Sequence, residues 1–269
     1  MLELDTCYTL SNIPYITYDA LEEYAEKLVH DFAPECLRTP IPMDVDKFLG
    51  HYLNLSVDYR HISHDRNILG MTAFSDGSID VLNDETGLVE QMPVRAGTVI
   101  LDSSLTVKRN EPIRRFTGGH EGTHWILHRK AFAEDNPFGP AGVYSNQYLA
   151  AKEGRVDYSR KRTGKTDIEY MERQADFLSS AILMPRPALR VVFRNFFKFY
   201  NEKPRRIVRG TSPLDDCYIK QLVEYVADKF LVSKHAVRIR LEKLGAIADN
   251  VWQYNPKKQR IYYPVVLVE

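Results

Sequence analysis

This chain of 269 residues has few cysteines, no long apolar run and no excess of charge of either sign. Its three cysteines are odd in number and scattered, which argues against a disulfide framework and indicates a reducing compartment. No stretch approaches the roughly 18 consecutive apolar residues of a membrane-spanning helix. The acidic start of the chain, Met1–Asp5, also lacks the apolar run of a signal peptide. We therefore expect a cytoplasmic protein with no membrane partner.

Charge is balanced over the whole chain but uneven along it. Lysine plus arginine and aspartate plus glutamate number 36 each, so net charge alone indicates no polyanionic partner. Residues 190–269 nevertheless hold 16 basic and 8 acidic residues, against 20 and 28 in residues 1–189. Such asymmetry can mark a nucleic-acid-binding part. The basic residues are spread over several segments, so we favour a helical part that packs on the rest or grips a protein substrate, with DNA binding as the alternative.

The run His120-Glu121-Gly122-Thr123-His124 has the spacing HExxH. Two histidines four residues apart on a helix project from the same face, where one tetrahedral metal ion can take both imidazole nitrogens. The glutamate beside the first histidine then points at the open coordination position, where it can take a proton from water. The pattern predicts a zincin-type centre with His120 and His124 as metal ligands and Glu121 as the general base.

Glycines are unusually frequent around this motif, although glycine costs a helix about 1 kcal/mol relative to alanine. Gly118, Gly119 and Gly122 all fall within the predicted helix, whose first turn suits Pro112. We interpret the glycines as positions of close approach, by a neighbouring strand or by the substrate backbone.

A catalytic zinc centre usually has a third protein ligand. One class of zincins takes a histidine ten residues after the first, but that position is Lys130 here. His128 lies one turn beyond His124, too far for all three histidines to reach one ion, and we interpret it as supporting the site. The other class takes a glutamate from a later helix.

A helix predicted to start near Thr166 and Glu169, which form a capping box, supplies that glutamate. Glu172 and Asp176 are four residues apart on one face, and the apolar residues that follow indicate that this face is buried. We predict that Glu172 is the third ligand and that Asp176 orients a ligand histidine through its other ring nitrogen. Glu169 is the competing ligand, and the alternative for the pair is surface charge paired with Arg173 or nearby lysines.

Together these segments resemble the ImmA/IrrE family of metallopeptidases. The first motif extends from Arg114 to His128 and the second consists of Glu172, Ala175-Asp176-Phe177 and Leu183-Met184-Pro185. The match covers roughly residues 40–190. Two departures are Gly122-Thr123, where the family often has Leu-Gly, and Asp176, where the family has asparagine. Neither removes a ligand.

The resemblance implies an intracellular Zn²⁺-dependent peptidase. Characterised relatives cleave a helix-turn-helix repressor and so relieve repression of mobile-element or stress-response genes. For this chain the resemblance implies a protein substrate of that kind, a helix-turn-helix repressor, and a role in transcription regulation. The donor for the oxyanion is left open among five residues: Tyr144, Tyr148, Tyr158, His128 and Arg173.

Periodicity predicts an α+β protein with a small, mostly antiparallel sheet followed by the HExxH helix, which is the usual zincin order. Helices are expected over residues 18–32 and Val45–Tyr52. Strands are expected over residues 55–59, 68–74, 78–82 and 97–101, with 68–74 and 78–82 forming a hairpin around Ser75-Asp76-Gly77. Residues 152–167, rich in charge and glycine, are interpreted as an exposed loop, with a substrate-contacting loop as the alternative.

The C-terminal part has a different character. Helices are predicted from Pro187 to near Tyr200, from Ser212 to Phe230 and from Val232 to Gly245, followed by short strands over residues 251–254 and 260–266. The last two helices resemble a helix-turn-helix core, and the strands would complete a winged helix. We therefore divide the chain into a zincin-like metallopeptidase domain of residues 1–200 and a helix-turn-helix-like domain of residues 201–269.

Two other functions stay open at this point. The chain could be a non-catalytic, zinc-stabilised regulator that binds DNA or a repressor, although a purely structural site would not need Glu121 and would usually be closed by a fourth protein ligand. A weaker alternative is a zinc hydrolase that acts on a non-peptide amide.

Overall fold

The computed structural model describes residues 2–65, 67–133 and 167–248, together with the backbone of residues 148–152. It is a mixed α+β protein. Its α-helices are α1 (Tyr18–Phe32), α2 (Glu35–Arg38), α3 (Val45–Lys47), α4 (Glu111–His128), α5 (Asp167–Leu183), α6 (Arg186–Phe199), α7 (Asp215–Phe230) and α8 (Lys234–Lys243). Its strands are β1 (Cys7–Tyr8), β2 (Pro14–Tyr15), β3 (Ser56–Arg60), β4 (Ile68–Ala73), β5 (Gly77–Leu82), β6 (Val89–Val94), β7 (Thr98–Asp102), β8 (Tyr148–Lys152), β9 (Ile207–Val208) and β10 (Ile247–Ala248).

The largest sheet has the strand order β3-β7-β4-β8. The β3–β7 pair is parallel, and β4 is antiparallel to both β7 and β8. Three two-stranded sheets complete the described strands, with β1–β2 and β5–β6 antiparallel and β9–β10 parallel. The predicted strands 55–59 and 97–101 are confirmed as β3 and β7.

The predicted hairpin of residues 68–74 and 78–82 is wrong, although both strands exist. β4 pairs with β7 and β8, whereas β5 pairs with β6. β6 has the sequence Val-Glu-Gln-Met-Pro-Val and is mostly exposed, so it lacks the apolar signal of a strand. Without a signal for β6, the sequence pattern favours pairing of β5 with β4, its nearest neighbour in the chain.

The predicted helices are confirmed over most of their length. α1 covers residues 18–32 as expected, and α6, α7 and α8 match the three C-terminal helices. Asp44 caps α3 by accepting a hydrogen bond from the Lys47 backbone N–H. α3 continues into a π-helical turn, Phe48–Tyr52, which completes the predicted Val45–Tyr52 segment. The predicted loop 152–167 and the C-terminal strands lie outside the described residues.

Two compact units divide the chain. Unit 1 comprises residues 1–24 and 44–179, and unit 2 comprises residues 25–43 and 180–269. Both units are discontinuous in sequence, whereas the predicted domains of residues 1–200 and 201–269 are continuous. The division into domains of residues 1–200 and 201–269 stays a prediction.

In unit 1, α4 packs on β4 and β7, and the π-helical turn packs on α4. In unit 2, α6 contributes the buried rings of Phe193, Phe196 and Phe197, of which Phe197 contacts the other two, and Phe196 also contacts Tyr218 of α7. Among the described residues, no helix is long and apolar enough to cross a membrane.

Candidate metal centre

The two histidines of the HExxH motif face each other on α4. Their Nε2 atoms are 2.9 Å apart, and both side chains are almost completely buried. The spacing of four residues places both rings on one side of the helix. The structure thus brings His120 and His124 together as the motif predicts.

Glu172, on α5, joins this pair. Its Oε2 lies 3.2 Å from Nε2 of His120, and its Oε1 lies 3.4 Å from Nε2 of His124. One ligand atom from each of the three residues lies within 4.8 Å of the other two, so the group could hold a metal ion. The competing Glu169 is exposed and stands outside this group.

The electrostatics of the three residues fit a cation. Burial disfavours the charged form of His120, but hydrogen bonds to Asp176 and Glu172 outweigh it and raise the pKa of His120 well above its ordinary value. Burial would raise the pKa of Glu172, yet the neighbouring His124 and His120 lower it below its usual range. Among the described residues, Glu172 Oε1 has no hydrogen-bond partner although it is buried. A metal ion would satisfy that oxygen and the two facing nitrogens together.

α5 is held against α4 by a side chain inside the motif. The Thr123 hydroxyl donates hydrogen bonds to the carbonyl oxygens of His120 (2.8 Å) and Ala175 (3.0 Å). Ala175 lies one turn of α5 beyond Glu172. This contact therefore helps to set the position of the Glu172 carboxylate relative to His120 and His124 along α4. Thr123 was assigned no role from sequence, because its partner is 52 residues away.

Asp176 contacts the outer nitrogen of His120. Its Oδ1 lies 2.9 Å from Nδ1 of the histidine. A carboxylate at this position accepts the Nδ1 proton and leaves Nε2 free to bind a metal. The structure therefore shows the Asp176–histidine contact that the one-face spacing of Glu172 and Asp176 predicts.

His128 contacts the outer nitrogen of the other histidine. The Nδ1 atoms of His124 and His128 are 3.0 Å apart, and Nε2 of His128 lies 3.0 Å from Oε1 of Gln174. His128 is outside the three-residue group, in agreement with its interpretation as a supporting residue. Both of its ring nitrogens are engaged, which leaves it unsuited to donate to an oxyanion. Burial is the main reason why its pKa lies well below the ordinary value.

Glu121 is completely buried between α4 and β4. The Thr72 hydroxyl donates a 2.6 Å hydrogen bond to Oε2 of Glu121. Oε1 has no hydrogen-bond partner among the described residues. Burial raises the pKa of Glu121 above its ordinary value, although the nearby His120 and His124 act in the opposite direction. One carboxylate oxygen is thus hydrogen-bonded, and the other is buried without a hydrogen-bond partner among the described residues.

Two glycine positions allow these close approaches. A Cβ on Gly70 of β4 would lie 2.8 Å from Oε1 of Glu121 and 2.7 Å from Cγ2 of Thr117. A Cβ on Gly122 would lie 2.5 Å from Cδ2 of Leu49, in the π-helical turn. The predicted close approach to α4 is confirmed for Gly122, and the neighbour is that turn rather than a strand.

Several residues of the site carry no sequence signal. Thr72, Gly70 and Gln174 are ordinary residues of a strand or helix, and only their positions opposite α4 give them a role. Of the five predicted oxyanion donors, the side chains of Tyr144, Tyr148 and Tyr158 lie outside the described residues. Arg173 is partly buried, and its role stays a prediction.

No protein-family model, curated protein or solved structure matches this chain. The assignment of the candidate metal centre therefore rests on the geometry of its residues.

Proposed function

We propose that this chain is a zinc-dependent endopeptidase with a zincin-like core. The observation that carries the proposal is the convergence of His120, His124 and Glu172 beside Glu121, a buried glutamate with one oxygen that has no partner in the described part of the chain. A closed structural site would not need that glutamate and would usually use four protein ligands. The order of sheet, HExxH helix and glutamate-bearing helix is also that of zincins.

His120, His124 and Glu172 would hold the metal ion. When bound, Zn²⁺ supplies a Lewis acid that polarises the scissile carbonyl and lowers the pKa of water. Glu121 takes the water proton at Oε1 while Thr72 holds Oε2. Glu121 must accept this proton and then deliver it to the leaving nitrogen, which is the role of a general base that becomes a general acid.

The substrate proposal rests on the ImmA/IrrE resemblance alone. By that resemblance the chain cleaves a helix-turn-helix transcriptional repressor in the cytoplasm and thereby relieves repression. The non-catalytic regulator that binds DNA or a repressor is the competing function, and cleavage measurements separate the two.

The first test compares zinc content in three forms of the purified chain. Wild type and Glu169→Ala should carry about one zinc per chain by native mass spectrometry, whereas Glu172→Ala should carry much less. Glu169 is the matched control because it is an exposed glutamate on the same helix. Full occupancy in Glu172→Ala would overturn the ligand assignment.

The second test measures cleavage. Zinc-loaded wild type and Glu121→Gln are incubated with a proteome-derived peptide library, and new termini are identified by mass spectrometry. Glu121→Gln should keep its zinc and lose cleavage by about 10²–10⁴-fold. Equal cleavage by both forms would refute the general base, and no cleavage by a zinc-loaded wild type of either the library or a repressor would favour the non-catalytic regulator.

A further inference from the structure

The two histidines of the site differ in what supports their outer nitrogens. Nδ1 of His120 faces a carboxylate, Asp176, whereas Nδ1 of His124 faces another imidazole, His128. A carboxylate can only accept, so it fixes a proton on Nδ1 of His120 by itself. An imidazole nitrogen can donate or accept. Whether His124 can bind a metal through Nε2 therefore depends on the tautomer of His128.

Gln174 determines that tautomer. Its amide Nε2 lies 2.7 Å from the carbonyl oxygen of Pro14, which can only accept, so the atom facing Pro14 must be the NH₂ group. The carbonyl oxygen of Gln174 then faces Nε2 of His128 at 3.0 Å. Because that oxygen can only accept, Nε2 of His128 carries the proton. Gln174 and His128 are both almost completely buried.

The consequence reaches the ligand. A neutral His128 with its proton on Nε2 has a lone pair on Nδ1. It accepts the Nδ1 proton of His124 across 3.0 Å, and Nε2 of His124 is left bare. The reverse arrangement would set the lone pair of His128 against the Gln174 oxygen and place a proton on the nitrogen that must bind the metal.

We propose that Pro14, Gln174 and His128 form a hydrogen-bond chain that holds His124 in its metal-binding tautomer. This hydrogen-bond chain joins residues that are up to 160 positions apart in sequence. His128 and Gln174 are positioning residues, since they act on the metal through His124. The inference deepens the proposed metallopeptidase and rests on it for its purpose, but the tautomer itself can be measured without metal.

The direct test is long-range ¹H–¹⁵N spectroscopy of histidine side chains in the metal-free wild type. His124 should carry its proton on Nδ1, and His128 should carry it on Nε2. His51 serves as the internal control, because it is exposed and its ring has no hydrogen-bond partner among the described residues. Signals are assigned from single-histidine variants. A His124 ring with its proton on Nε2 would overturn the proposal.

The second test measures zinc affinity by competition with a chromophoric chelator. Gln174→Met keeps the length of the side chain and removes both hydrogen bonds, and His128→Leu removes the acceptor for His124. Each should weaken zinc binding by about 10–100-fold, while His128→Asn, whose Oδ1 can accept from His124, should lose less. Circular dichroism verifies that each variant is folded. A folded Gln174→Met with wild-type affinity and an unchanged His124 tautomer would overturn the proposal.

The outcomes separate this inference from the proposed function. A wild type with the expected tautomers but no zinc binding would refute the metallopeptidase and leave the hydrogen-bond chain in place. A wild type that binds zinc and cleaves peptides with the opposite tautomer in its metal-free form would do the reverse.

Discussion

The two units of this protein use their interiors differently. Most of the buried polar and charged side chains among the described residues belong to unit 1, and more than half of those lie on α4 itself. The core of unit 2 is built largely from aliphatic and aromatic side chains, with Arg240 and Asp215 as buried charged residues.

Burying polar groups is costly unless each one is hydrogen-bonded. In unit 1 the polar side chains buried around the histidines are joined by a connected set of hydrogen bonds, and these hydrogen bonds offset the cost of burial. Unit 2 gains stability from apolar burial and aromatic contacts. Under the proposed function unit 1 carries the chemistry, so changes in the core of unit 2 should act on stability alone.

The largest expected effect is on unit 2. Phe197 is almost completely buried, with its ring 5.1 Å from Phe193 and 5.5 Å from Phe196. Phe197→Ala should lower the free energy of unfolding by about 3–5 kcal/mol, measured in urea, because it leaves a cavity. Phe199→Ala, on the same helix but 83% exposed, should change it by less than about 0.5 kcal/mol.

The zinc affinity of Phe197→Ala tests the same contrast. The molecules of this variant that are folded should bind zinc with the affinity of wild type. A fall in affinity that matches the loss of stability would show that the core of unit 2 contributes to the metal centre, and the contrast between the units would fail.

The next effect is on activity. In Gly70→Ala the added methyl group would displace the Glu121 carboxylate or the Thr117 side chain, since it would lie less than 3 Å from both. Peptide cleavage should fall by about 10²-fold while zinc content stays at one per chain, because a shift of about 1 Å in a reacting group has an effect of that size. Gly50→Ala is the control, because no atom lies within 4 Å of its added Cβ. Loss of zinc in Gly70→Ala would indicate a disrupted sheet instead of a misplaced base.

The smallest effect concerns a buried charge of unit 2. Asp215 Oδ2 accepts hydrogen bonds from the backbone N–H groups of Thr211 (3.0 Å) and Ser212 (2.6 Å) and from the Thr211 hydroxyl (2.9 Å). Burial alone would raise its pKa, but these hydrogen bonds hold the pKa below the ordinary value of 3.8. Asp215→Asn should cost about 1–2 kcal/mol of unfolding free energy at pH 7.

The sign of its pH dependence follows from the lowered pKa. The ionised carboxylate stabilises the folded state at every pH above the unfolded value of 3.8. That contribution is lost as the pH falls through the lower, folded-state pKa. Urea titrations of wild type and Asp215→Asn should therefore differ at pH 7 and converge below about pH 4. A difference that grows on acidification would contradict the assignment.

Much of the helical structure could be predicted because its signals are local. Caps and apolar periodicity located α1, α6, α7 and α8 within a few residues. Strand pairing was harder, since β4 and β5 are adjacent in sequence and yet pair with other strands. The mostly exposed β6 lacks an apolar alternation that would have revealed it.

The candidate metal-binding site also combines residues that local spacing predicts with residues that only contacts between distant segments bring in. His120 and His124 follow from a spacing of four, and the pair Glu172 and Asp176 follows from one helix face. Thr72, Gln174 and the Pro14 carbonyl are joined to the site only through contacts between distant segments. No periodicity or motif could have selected them.

The sequence by itself determined which groups could bind a metal, because a helix converts a spacing of four residues into a shared face. It also determined that a glutamate lies beside the first histidine. The tertiary structure alone decided which oxygen of that glutamate is hydrogen-bonded and which partner the outer nitrogen of each histidine faces. These choices depend on hydrogen-bond partners that packing brings from strand β4, helix α5 and the Pro14 carbonyl, and a partner at such distance in the chain leaves no trace in the local pattern.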